Sequence, residues 1–297
     1  MKHLRPLLII LSLLFSFSLT AEEKPSWVTY EEARELVAEG KLAEAIIVLE
    51  NAIDEEITFP EAEYELGLIF YKQGEYDLAE QHFLKAIGQK RYLSVDASYY
   101  TIVYTLAKMY LDIKKYNEME SLLFNNILAY DDTYVGNKNK KNREIWINAL
   151  KEKGIDKLLL LYRYDESFSY DAHIILAEFY TNSGRYDKGL EHSLLAVMMF
   201  VSTAVESMIK EDHLFQFSGL DMLWEKLQNN DLYQDYITTH RPCRALYFLA
   251  NSLYGLAYDE EAKKIWTFVA EHSTETGYKN LAKNQILKPD VRPVYAK

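Results

Sequence analysis

The chain has 297 residues, 49% of them hydrophobic, 14% aromatic and 26% charged, with only 11 Gly and 6 Pro. So many aromatic residues beside so few prolines exclude a disordered chain and describe a globular, helix-rich protein of one large or two small domains. A net charge of −12 with no long basic run excludes recognition of a phosphate backbone, so no nucleic-acid partner is expected.

Taken in chain order, the first element is a targeting signal. Lys2 and Arg5 supply a positive start, and Leu7 to Leu19 is an apolar run broken only by serines. Small residues follow at Ser18, Thr20 and Ala21, then Glu22 and Glu23. This is the layout of a secretory signal peptide cut near Ala21, and its apolar run is shorter than the roughly 20 residues needed to span a bilayer. The mature protein is therefore expected in a periplasm or secreted. Cys243 is the only cysteine, which precludes an internal disulfide and lipoprotein processing at the end of the signal. No later apolar stretch reads as long and uninterrupted enough to cross a membrane.

Residues 22–130 show self-similarity. Gly40 and Gly74 are 34 residues apart, and the same offset relates Leu42 to Tyr76, Ala45 to Ala79, Leu49 to Phe83 and Ala52 to Ala86. Each unit reads as two amphipathic helices around a short turn. Gly67 and Ala79 are small where two helices approach closely, Phe70 and Phe83 fill the space beside them, and Gly74 allows a left-handed turn. The pattern Leu66-Gly67, Phe70, Gly74, Tyr76, Ala79, Phe83, Ala86 resembles the tetratricopeptide repeat. Further units read Leu106-Ala107, Tyr110 and Tyr116, with Met119 in place of alanine. Leu176-Ala177, Tyr180, Gly184, Tyr186 and Ala196 form another, with Gly189 in place of alanine. Leu249-Ala250, Leu253, Ala262 and Trp266 form the last. The resemblance implies an all-α fold, a right-handed solenoid of antiparallel helix pairs in about five units with insertions.

The departures define the rest. Residues 131–169 are expected to hold a polar loop (131–141) and a degenerate helical hairpin with Trp146, Leu150, Leu158, Leu159 and Tyr162 on its apolar faces. Lys138, Lys140, Lys141 and Arg143 are expected on a solvated loop. Residues 170–288 hold the later units, with one long helix over 190–210, an insertion of one or two short helices over 219–238, and a capping helix from Gly277 to Leu287. Residues 289–297, with Pro289 and Pro293, are expected to be extended.

No phosphate-binding glycine loop, paired Cys motif, His-Glu-x-x-His or nucleophile elbow is present. His240 and Cys243 have metal-like spacing, but two ligands make no zinc site. Asp131-Asp132 lacks the remainder of a calcium loop. No catalytic residue, metal or cofactor is expected, and the chain does not read as an enzyme.

The resemblance places the first helix of each unit on an inner face. One inner-face position becomes Tyr30, Tyr64, Tyr104, Ile174 and Tyr247, with Arg34, Glu65, Leu68, Tyr71, Lys108 and Tyr254 as neighbours. Tyrosine offers rigid apolar area and a hydroxyl at low entropic cost, which suits a protein or peptide partner. Equally, these rings serve as packing between first helices. The Lys, Arg and Asn clamp by which related co-chaperones hold a terminal carboxylate is absent. The expected function is an exported interaction scaffold with a Tyr-lined groove. The alternative is an accessory subunit of solute transport, with Phe215, Phe217, Leu223 and Trp224 lining a hydrophobic path.

Overall fold

The computed structural model describes residues 24–56 and 58–295. The signal-peptide assignment of residues 1–21 lies outside the described residues. Those described form fifteen α-helices, three 3-10 turns and no strand. They divide into two compact units between Ile102 and Val103, a boundary inside one helix.

Unit 1 contains α1 (Ser26–Ala38), α2 (Leu42–Glu55), α3 (Pro60–Gln73), α4 (Tyr76–Gly88) and the start of α5 (Ser98–Asp112). Helix α1 packs on α2, α2 on α3, and α3 on α4. The expected small-against-large contact is present: a Cβ added at Gly67 would lie 2.6 Å from the Phe83 ring, which is itself fully buried. Pro60 opens α3 at the first turn, where its missing N–H costs nothing.

Each helix pair is joined by a turn of two or three residues of one design. Gly40 and Gly74 take left-handed φ values of 79° and 81°. The N–H of the following residue reaches five positions back, Lys41 to the Leu36 carbonyl and Glu75 to that of Phe70. This is the Schellman closure, which satisfies carbonyls that a helix end leaves open.

Unit 2 repeats the design three times. The left-handed residues are Lys114 (φ 62°), Gly184 (φ 74°) and Ala257 (φ 65°). Lys115 donates to Tyr110, Arg185 to Tyr180, and Tyr258 to Leu253. These turns join α5 to α6 (Tyr116–Asn126), α9 (Tyr170–Asn182) to α10 (Tyr186–Glu211), and α13 (Pro242–Gly255) to α14 (Asp259–His272). Between them lie α7 (Asn137–Lys153) and α8 (Ile155–Leu161), the degenerate hairpin, and the insertion helices α11 (Leu220–Gln228) and α12 (Gln234–His240). Helix α15 (Thr276–Leu287) packs on α14 as the cap.

Two details differ from expectation, and a third has a physical reason in the structure. The supposed loop over 131–141 ends early, because α7 begins at Asn137 behind Gly136, whose φ is 97°. Lys138, Lys140 and Lys141 are exposed on that helix, whereas Arg143 sits 4.3 Å over the Tyr134 ring and 2.8 Å from the Glu191 carboxylate. Second, α10 runs for 26 residues with a mean hydropathy of 1.5 in its most apolar window, long and apolar enough by itself to cross a membrane. Helices α7, α8, α9 and α13 pack on it, and 78% of that window is buried. Third, Gly189 replaces the family alanine because the Thr181 and Ser252 hydroxyls, 2.8 Å apart, occupy the place of a Cβ.

The left-handed conformation costs about 1 kcal/mol more for a residue with a Cβ than for glycine. Lys114→Gly and Ala257→Gly are each expected to raise unfolding stability by about 1 kcal/mol, read as a higher urea midpoint at unchanged slope.

Candidate functional site

The projected inner-face residues divide into groups. On α1 and α3, Tyr30, Arg34 and Glu65 form one cluster. The Tyr30 ring is half-buried and tilts against Phe59 at 5.3 Å. The Arg34 guanidinium lies 5.9 Å from the Tyr30 ring centre. Arg34 is itself paired with Glu31 at 3.2 Å. Burial raises the Glu65 carboxyl above the usual carboxylate range, against the lowering effects of Arg34 and the Tyr30 hydroxyl. Burial also raises the Tyr30 phenol, with Glu65 the largest charge contribution.

A second stripe on α3 turns toward α4. Tyr64 tilts against Phe83 at 5.8 Å, and Tyr71 against Tyr76 at 6.2 Å. Leu68, one turn from Glu65 and Tyr64 on the helix, is half-buried. Charge is concentrated here: residues 24–102 hold 16 Asp and Glu against 7 Lys and Arg, whereas residues 103–297 hold 27 against 24.

In unit 2 the projected residues are used differently. The Tyr104 hydroxyl donates to the Phe168 carbonyl, which ties α5 to the loop before α9. Lys108 is exposed. Ile174 and Tyr247 are buried, and Tyr247 packs against Tyr278 of the capping helix at 5.6 Å. Tyr254 is half-buried against Trp266 at 5.4 Å. The cap covers the last first-helix, and the family pattern carries no signal for where a cap will land.

The insertion supplies core. Phe217, Leu223 and Trp224 are buried, Phe215 packs against the same core, and Trp224 meets Phe268 at 5.5 Å. A cavity of about 220 Å³ lies among Ile155, Leu220, Ile265 and Phe268, with Asp156 and Lys264 on its wall. Small-molecule sites usually measure about 300–1,000 Å³. Asp156 is engaged structurally, accepting from the Leu220 N–H at 2.9 Å and pairing with Lys264 at 2.6 Å.

Among the described residues, no group of three or more His, Cys, Asp or Glu is arranged to hold a metal ion. Cys243 is buried, and burial pushes its thiol up to about 12. His173 and His192, which carry no sequence signal of a pair, meet Nδ1 to Nδ1 at 2.7 Å in the core of unit 2. Complete burial disfavours charge on either ring, and with one ring donating and the other accepting the two are of opposite tautomer. Burial holds His173 down at about 3, and burial together with His173 itself keeps His192 well below the usual range. Tyr134, Tyr180 and Phe124 pack around the pair.

Residues 30–94 match the family model of the tetratricopeptide repeat. That match, together with helices packed in consecutive pairs, supports a tetratricopeptide-repeat protein. The chain is 25% identical over 221 residues to an uncharacterized protein of Treponema pallidum (strain Nichols), a match covering 72% of this chain. The match spans 57% of the length of that relative. It is also 22% identical over 294 residues to an uncharacterized protein of Borreliella burgdorferi, covering 89% of this chain and 91% of the relative. Repeats of this family mediate contacts between proteins, and their fold is generally a non-enzymatic scaffold.

The histidine pair gives a pH test. Both folded values lie below the unfolded one near 6.5, so the unfolded state binds more protons and stability falls as pH drops from about 6.5 toward 3. Each histidine contributes up to about 1.4 kcal/mol per pH unit. His192→Gln is expected to flatten the slope of urea-unfolding stability between pH 6.5 and 4 relative to wild type. An identical slope would contradict the assignment. His240 bonds Glu166 at 2.7 Å and is shifted upward, so its contribution is lost as pH rises, and it cancels in this comparison.

Proposed function

We propose that the chain is an exported scaffold whose unit 1 receives a basic, extended segment of a partner protein on the face of α1 and α3. The observation that carries this reading is Glu65. Burial raises this half-buried carboxyl despite the lowering effects of Arg34 and the Tyr30 hydroxyl, so its charged form costs the fold stability. A cationic side chain from a partner offsets that cost. The surrounding Tyr30, Tyr64 and Tyr71 rings supply apolar area, and the excess of acidic residues in this unit attracts basic segments. Tyr104, Lys108 and Tyr254 are proposed to extend partner contact along unit 2, while Tyr247 belongs to the packing beneath the cap.

The signal-like residues 1–21 support export to a periplasm or to the outside. Transport of a small solute is the weaker reading, because the insertion aromatics are engaged in core packing.

Two variants separate binding from folding. Glu65→Gln is expected to raise the melting temperature at pH 7, because the folded-state carboxyl lies above its unfolded value and its stability contribution is lost as pH rises through it. The same variant is expected to weaken partner capture, and the loss should shrink as salt rises. A triple variant, Tyr30→Ala, Tyr64→Ala and Tyr71→Ala, is expected to keep its helicity and lose the partners that wild type enriches from a lysate of the source cell. An unchanged set of captured proteins would rule out this face.

A further inference from the structure

Residues 289–295 run extended across unit 2, held as a bound peptide is held rather than as part of a helix or sheet. Their backbone is satisfied by groups of the capping helix and of the repeats. The Gln285 side chain exchanges two hydrogen bonds with Asp290, donating to its carbonyl at 2.8 Å and accepting from its N–H at 2.7 Å. The Tyr186 hydroxyl donates to the Val291 carbonyl. The N–H groups of Val294 and Tyr295 both donate to the Asn182 carbonyl, at 2.8 and 3.0 Å.

Side-chain contacts follow the same plan. Pro293 lies where Gly184 has no Cβ; a Cβ there would come within 2.7 Å of its ring. The Tyr295 ring stacks on Tyr116 at 5.0 Å and on Phe179 at 6.2 Å. The surface thus reads a proline two residues ahead of an aromatic ring, and reads it through elements that repeat geometry requires for other reasons. Gly184 is a left-handed turn residue, Tyr186 packs over Gly255, and Phe179 is buried on α9. The covering segment is shallow. Val294 is 75% exposed, and the Asp290–Arg292 pair at 2.5 Å serves only the segment itself.

We propose that this surface is a peptide-docking site, separate from the face of unit 1, and that residues 289–295 are its resident occupant. An extended partner segment of the sequence type Pro-x-Tyr takes their place. The tethered segment acts as a competitor with an effective concentration of about millimolar, so the site reports only partners that outcompete it or that arrive when it is released.

The test uses a fluorescently labelled peptide of residues 288–295 and the chain ended after Lys288. Anisotropy is expected to show saturable binding to the shortened chain, at least about ten-fold weaker binding to the full chain, and loss of binding when the peptide carries Tyr295→Ala. A shortened chain that keeps its helical circular dichroism but shows no saturable binding overturns the proposal, as does equal binding by both chains. Should the shortened chain not fold, the full chain with Tyr295→Ala keeps the Gln285–Asp290 anchor and releases the ring. It is expected to take the peptide more tightly than wild type, and unchanged binding overturns the proposal.

Discussion

The left-handed turn between paired helices is the constraint on which the rest depends. It occurs at Gly40, Gly74, Lys114, Gly184 and Ala257, each followed by the same five-back hydrogen bond. A turn of two or three residues leaves little slack, so the second helix must fold back directly on the first. It also fixes what sits two residues on: Tyr116 lands on Phe179 at 5.2 Å, and Tyr186 lands against Gly255. The turn therefore sets the contact between successive units as well as the contact within one. In Lys114 and Ala257 the conformation persists without glycine, so tertiary packing enforces it against its local cost.

Legibility in the sequence follows from that constraint. Where the turn residue is glycine and the 34-residue offset holds, as from Gly40 to Ala86, the elements and their buried faces can be read directly. Ala45, Leu49, Ala79 and Phe83 are all fully buried. The start of α7 was hidden because Asn137 to Arg143 is polar throughout, and only the left-handed Gly136 marks its boundary. The covered state of Tyr247 was hidden for another reason. Its neighbour Tyr278 lies on a helix outside the repeat, and no periodicity relates the two. The histidine pair likewise depends on α9 and α10 facing each other, which the spacing of His173 and His192 does not encode by itself.

The two surfaces proposed for binding use the repeats in different ways. In unit 1 a carboxylate is kept half-buried among tyrosines, a local cost without local return. Residues that lower stability while remaining well ordered are where binding sites are expected. In unit 2 the turns themselves make a ledge of a missing Cβ, a carbonyl and two aromatic rings, and the chain lays its own extended segment along it. Neither surface calls for a metal, a nucleophile or a deep pocket. Both present backbone and aromatic groups of the kind that recognise polypeptide.

Hydrogen–deuterium exchange on the chain with and without a partner captured from the source cell tests the central claim most directly. Slowed exchange in residues 26–73, spanning α1 to α3, is the result expected if the acidic, tyrosine-rich face of unit 1 receives the partner. Slowed exchange confined to residues beyond 103, with α1 and α3 unchanged, would contradict it.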